Sequence, residues 1–242
     1  MLPQNAQPIG NPGAAVRFTP EQVASEQAAF IRKVFAIMSG GLATTAVTAL
    51  VVVHSSDAMR LLFTKGLFLP LLLVELIMVW SFTSLSRKLS AIGAATLFYV
   101  YSIVSGVTFS VIFLRYTQGS IASTLFITAG TFAAISAYGY ITKRDLTGVG
   151  GFMTMGLFGL IIASIANLFL HSPMLYWGVS FFGVLVFTGL TAYDVQKIKT
   201  LNVIGNAGTD EDHKEAIHGA LILYLDFCNM FLYLLRILGR RR

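Results

Sequence analysis

The chain has 242 residues, of which 55% are hydrophobic and only 12% charged, and its mean hydropathy is +0.74. Soluble domains carry roughly 25% charged residues, so this composition excludes an ordinary soluble protein and indicates an integral membrane one. The net charge of +6 does not point to nucleic acid, because the basic residues are scattered in short loops and at helix ends, where they act as topology signals.

The first 30 residues hold four of the six prolines (Pro3, Pro8, Pro12 and Pro20) and no apolar run. They are expected to form a polar, disordered cytoplasmic tail and not a signal peptide. Residues 31–242 are then the transmembrane domain. A stretch of 26 residues without Asp, Glu, Lys or Arg separates Lys88 from Arg115, another of 27 separates Arg115 from Lys143, and a third of 48 runs from Leu146 to Tyr193. Each of the first two is long enough to cross about 30 Å of hydrocarbon as a helix. The third holds two crossings with a break at His171-Ser172-Pro173, because proline withholds a donor and turns the preceding residue away from helix. The expected spans are roughly 34–53, 67–86, 91–114, 120–141, 150–170, 174–196 and 217–238, which makes the fold class an all-α polytopic membrane protein with seven transmembrane helices. The final crossing is followed by a basic tail.

With the N-terminus inside, the inner side carries Arg17, Arg32, Lys33, Arg87, Lys88, Lys143, Arg144, Lys197, Lys199 and Lys214, against Arg60, Lys65 and Arg115 outside. That bias favours a cytoplasmic N-terminus. Arg236, Arg240, Arg241 and Arg242 then fall on the outer side, against the same rule, and six spans with a re-entrant final segment is the alternative. Gly40 and Gly41, Gly130 with Ala134, and Gly151, Gly156 and Gly159 are read as close helix-packing points.

Four ionisable residues lie within or at the edge of a span: Glu75, Arg87, Asp194 and Asp226. A charge at the bilayer centre costs about 2.5 to 3.5 kcal/mol even on a lenient scale, so each is a candidate for function. Asp226, Asn229, Tyr233 and Arg236 recur at intervals of three, four and three, which sets them on one helical face. Asp194 closes the sixth span in GLTAYDVQKIK, and both aspartates belong to the inner half of the membrane. Two carboxylates facing one site share protons and titrate together, so the pair can sense pH. It can also coordinate a hard cation such as calcium, with carbonyls and water completing the oxygen shell. Glu75 suits a pore-lining position, and Asn229 and Tyr233 are further pore-lining candidates.

TDEDHKE, Thr209 to Glu215, lacks the glycine and closing glutamate of an EF-hand and is read as a solvated part of a loop running from Ile198 to Ile217. The four histidines show no metal-site spacing. No phosphate loop, nucleophile elbow or HExxH motif occurs, so an enzyme is not expected. Cys228, inside a span, can form no intrachain disulfide.

TAYDVQKIK in the sixth span, LYLDFCNMFLYLLRILG in the seventh, SGVTFSVIF in the third and LLVELIMVWSFTSLSRK in the second resemble the Bax inhibitor family, the transmembrane Bax inhibitor motif proteins, from about residue 30 onward. The resemblance implies a bacterial inner-membrane protein whose seventh helix stands at the centre of a six-helix ring. It also implies a pH-sensitive calcium leak governed by Asp194 and Asp226, with Arg87 as the latching arginine and Glu75 as the glutamate of helix two. Calcium is the expected ion, with no other cofactor. A rival role, from a different class, follows from the same resemblance: restraint of a membrane-bound ATP-dependent protease, with residues 1–30 as the handle.

Overall fold

The computed structural model describes residues 18–86 and 88–242. Their order is α1 (Pro20–His54), α2 (Ser56–Thr64), α3 (Phe68–Ser86), α4 (Ala91–Phe109), α5 (Ile112–Arg115), α6 (Gln118–Ile141), α7 (Thr147–Leu170), α8 (Pro173–Leu201) and α9 (Asp210–Leu238). Among the described residues six segments are long and apolar enough to cross a membrane: α1, α4 continued by α5, α6, α7, α8 and α9. α3, where the second span was expected, has a shorter apolar stretch, Phe68–Phe82.

Two boundaries differ from the sequence reading. α1 begins at Pro20, so residues 20–30 of the expected tail are helical, while residues 1–17 lie outside the described residues. The cause is local. Thr19 accepts from the Gln22 amide and Gln22 reaches back to the Thr19 amide, a capping box, and Pro20 sits at the first helical position, where its missing N–H costs nothing.

The second difference lies in the loop expected from Ile198 to Ile217. α8 continues to Leu201 and α9 starts at Asp210, which leaves only residues 202–209 between them. Here Thr209 Oγ1 accepts from the Asp212 amide, and Asp210, Glu211 and Asp212 occupy the first turn, where negative charge suits the positive end of the helix dipole. An acidic run that looked like solvated loop is a helix start. The break at His171 is as expected: its left-handed backbone (φ 49°) caps α7, and Pro173 opens α8.

The chain divides into two compact units, residues 1–111 with 198–221, and residues 112–197 with 222–242. In the first, α4 packs on α1 and α3. A Cβ at Gly41 would meet the Phe98 ring at 2.5 Å, and one at Gly106 would meet Thr48 at 2.6 Å, so these glycines set the approach of α1 and α4. Thr45 Oγ1 donates to the Ser102 carbonyl across the same contact at 2.9 Å. In the second unit, Gly139 on α6 lies against the backbone of Ala192 on α8, and Gly189 on α8 faces Met153 on α7. Of the glycines expected at close contacts, Gly40, Gly41 and Gly156 have near neighbours, whereas a Cβ at Gly130, Gly151 or Gly159 would meet nothing within 4 Å.

Candidate functional site

Asp194 on α8 and Asp226 on α9 both belong to the second unit, and their carboxyls lie close enough to interact directly. Two carboxyls so placed can share a proton, because two ionised carboxylates are acceptors alone. Asp226 is 5% exposed, and its Oδ2 is buried with no hydrogen-bonding partner among the described residues. Asp194 is half-buried, and Lys197, one turn on, contributes an attractive charge to it.

The neighbours fix the pair in place. Ala192 meets Gly139 and the Tyr193 ring covers Gly150, which seats this turn of α8 against α6 and α7. Phe227, next to Asp226, meets Phe132 of α6 edge-on at a centroid distance of 5.3 Å. Ser136 lies one turn from both Phe132 and Gly139 on the same face of α6. It is buried, and its Oγ is also without a partner among the described residues. Sequence reading missed Ser136, whose only signal is its place on a face with Ser120, Thr124 and Thr128. An unpartnered buried oxygen costs free energy, so Asp226 Oδ2 and Ser136 Oγ are each a place where water or a hard cation, which takes oxygen ligands, would be favourable.

The other candidates on this face of α9 are engaged differently. Asn229 Nδ2 donates to the Leu225 carbonyl of its own helix at 2.8 Å. Tyr233 stacks on Phe187 at 5.8 Å, covers Gly183 and has the Arg236 guanidinium 5.2 Å from its ring centroid. α9 runs 16 residues from Asp210 to Asp226, about 24 Å of helix, so it starts well beyond the level of the pair.

Glu75 belongs to the first unit. Its Oε1 lies 2.7 Å from Thr108 Oγ1, which is also 2.8 Å from the Ser105 carbonyl. One hydroxyl has one proton: Thr108 donates to an ionised Glu75, or it accepts from a protonated Glu75 and donates to Ser105. The hydroxyl can therefore follow the charge state of Glu75. Arg87, the expected latch, lies outside the described residues.

A polar cluster in the first unit was also missed. Lys33 Nζ lies 2.5 Å from Asp212 Oδ2, which also accepts from the Gly208 amide at 2.8 Å. The Gly205 amide donates to Glu26 Oε1 at 2.9 Å, and the Ala91 amide to Asp210 Oδ1 at 2.7 Å. These bonds tie residues 205–212 to α1 and to the start of α4. The signal present in the sequence was the pattern Thr209-x-x-Asp212, a helix-start signature.

Comparison with known proteins places the chain in a family. The family model described as "Inhibitor of apoptosis-promoting Bax1" matches residues 27–242. The chain is 46% identical over 215 residues to "Inner membrane protein YbhL" of Escherichia coli K12, covering 88% of this chain and 92% of that protein. It is 44% identical over 214 residues to an uncharacterized protein of Borreliella burgdorferi, with 88% and 92% covered, and 35% identical over 223 residues to one of Deinococcus radiodurans, with 92% and 95% covered.

Proposed function

The chain belongs to the Bax inhibitor family, and from that premise we propose that it is a pH-sensitive calcium leak of the bacterial inner membrane, gated by Asp194 and Asp226. The observation that carries the proposal is the close approach of two membrane-embedded carboxyls, one of them almost fully buried. Such a pair changes its charge with pH as a unit. Arg87 supplies the latching charge: paired with the ionised aspartates it closes the path, and protonation removes the charge it holds. Acidification then opens the leak. Glu75, whose hydroxyl partner can follow its protonation, lines the route and concentrates cations.

The reading includes seven crossings with a cytoplasmic N-terminus and a central last helix. α3 supports the count, because its 19 residues give about 28 Å of helix, close to the hydrocarbon thickness. α9 supports the central place, because half of its apolar window is buried against 6% for α7. The inner-membrane assignment rests on the name of the Escherichia coli relative.

Calcium flux into liposomes holding only the purified chain, measured from about pH 5 to 8, tests the proposal. Wild type is expected to leak more at the acid end. Asp194→Asn and Asp226→Asn each flatten the profile, and the double variant adds little, because members of one network are not additive. A wild-type profile surviving in both single variants would refute the gate. Absence of flux without a partner would favour the protease-restraining role.

A further inference from the structure

In the second unit the end of α9 turns into an extended tail that is fastened by its backbone. The Thr117 amide donates to the Arg240 carbonyl at 3.1 Å and the Arg242 amide to the Arg115 carbonyl at 3.0 Å. The Arg240 amide donates to Ser120 Oγ at 2.8 Å, and Tyr116 and Arg241 form an antiparallel bridge. Four arginines, 115, 240, 241 and 242, are thereby held exposed on paired segments. A fifth, Arg236, joins them: its guanidinium carbon lies 5.7 Å from the Tyr176 ring centroid, and that of Arg241 lies 5.4 Å from the same centroid. Arg241 Nη2 also donates to Tyr176 Oη at 3.0 Å.

Within this unit, no acidic side chain among the described residues pairs with this concentration of charge. The acidic side chains of the unit are Asp145, Asp194 and Asp226. The nearest along the helix, Asp226, is ten residues from Arg236, about 15 Å of rise. None of the five arginines takes part in an ion pair among the described residues, and a terminal carboxylate at Arg242 would offset one charge at most. The tail is not loose charge that can spread away from itself, because its hydrogen bonds are made by main-chain groups.

The surroundings set the depth at which an anion would be met. Arg236 lies in the last turn of a membrane-crossing helix, and Tyr176 and Trp177 in the first turns of another. Tyrosine and tryptophan at helix ends mark the headgroup level. Beside them Phe169, Leu170, Met174 and Trp177 are 79%, 67%, 87% and 53% exposed, the apolar surface that acyl chains cover. Guanidinium forks fit phosphate oxygens in pairs.

We propose that this arginine-rich end binds the headgroup phosphodiester of an anionic phospholipid, whose tails lie on the apolar surface beside Tyr176. The four C-terminal arginines run against the positive-inside count, and headgroup binding gives them a role independent of topology.

The test is native mass spectrometry of the purified full chain titrated with phosphatidylglycerol or with phosphatidylcholine of the same acyl chains. Phosphatidylglycerol is expected to be retained at least tenfold better. Each arginine neutralised should weaken that retention about fivefold, so Arg240→Gln alone loses about fivefold and the variant with Gln at 240, 241 and 242 on the order of a hundredfold. Lys143→Gln with Arg144→Gln, in the α6–α7 connection, should leave retention unchanged. The single variant keeps the test valid if the triple one is not monodisperse. Equal retention of the two lipids, an undiminished preference in Arg240→Gln, or displacement of phosphatidylglycerol by equimolar inorganic phosphate would each overturn the proposal, the last by showing a free-anion site.

Discussion

The Lys33–Asp212 pair makes an asymmetric prediction. The Asp212 side chain is 3% exposed and that of Lys33 is 29% exposed, so the two partners respond differently to loss of the other. Lys33→Met leaves a buried carboxylate with the Gly208 amide and the helix dipole as its remaining support. Breaking a buried pair in this way costs about 3 to 5 kcal/mol, and the surviving amide and dipole reduce that to about 2 to 3 kcal/mol. Asp212→Asn leaves a lysine that reaches water along its own stem, while the asparagine carbonyl can still accept from Gly208, so the loss is about 1 kcal/mol. For a chain of this size 1 kcal/mol moves the melting temperature by about 2 to 4 °C. Thermal unfolding in one detergent should then show a drop of about 5 to 10 °C for Lys33→Met and about 2 to 4 °C for Asp212→Asn. The double variant should recover toward the Asp212→Asn value, because no buried charge is left unanswered. If Asp212→Asn is as damaging as Lys33→Met, or if the double variant shows the sum of both losses, the assignment of Asp212 as the desolvated partner is wrong.

Glu75→Gln should lower calcium flux at unchanged expression, because the amide can still engage Thr108 while the charge is gone; unaltered flux would remove Glu75 from the route. Gly139→Ala should destabilise by about 1 to 3 kcal/mol, since its Cβ would run into the Ala192 backbone, whereas Gly130→Ala, in open space, should be neutral or slightly stabilising; thermal unfolding ranks the two. The side chain and backbone amide of Thr147 hold the exposed Asp145 carboxyl below the usual carboxylate range. A depressed folded value means that this support is present above the ordinary carboxylate pKa and is lost as pH falls through the folded one, so the protection factor of the Thr147 amide should drop in that acid window and be low throughout in Asp145→Ala.

Six of the seven expected crossings were legible because hydrocarbon imposes a length on uncharged sequence, and the long charge-free runs allow few alternatives. Helix ends were less legible where polar residues carried the information. Thr19-Pro20-Glu21-Gln22 and Thr209-Asp210-Glu211-Asp212 are both helix starts, yet each lies in a hydrophilic stretch that hydropathy assigns to tail or loop. Capping is a statement about individual hydrogen bonds, and a mean over a window erases it. Asp212 shows the consequence. Surrounded in sequence by Asp210, Glu211, His213 and Lys214, it reads as solvated, but the helix that starts at Asp210 turns it toward Lys33, 179 residues away, a partner that no local pattern names.

The aspartate site was legible for the opposite reason. Asp226 stands alone in an apolar segment, and the membrane makes an isolated carboxyl so unfavourable that a partner had to exist. Its sequence neighbours on the same face were weaker guides. Asn229 satisfies its amide on its own helix and Tyr233 is occupied with Phe187 and Arg236, because one polar face on a helix can serve several separate contacts along its length. Ser136 escaped notice, since a serine costs little anywhere in a membrane helix and carries no signal until its neighbours are known. What identifies it is the pair of contacts on either side, Phe132 with Phe227 and Gly139 with Ala192. Those contacts put a buried hydroxyl with no partner among the described residues on the face of α6 that meets α8 and α9, and that placement is a property of packing that spacing along the chain does not encode.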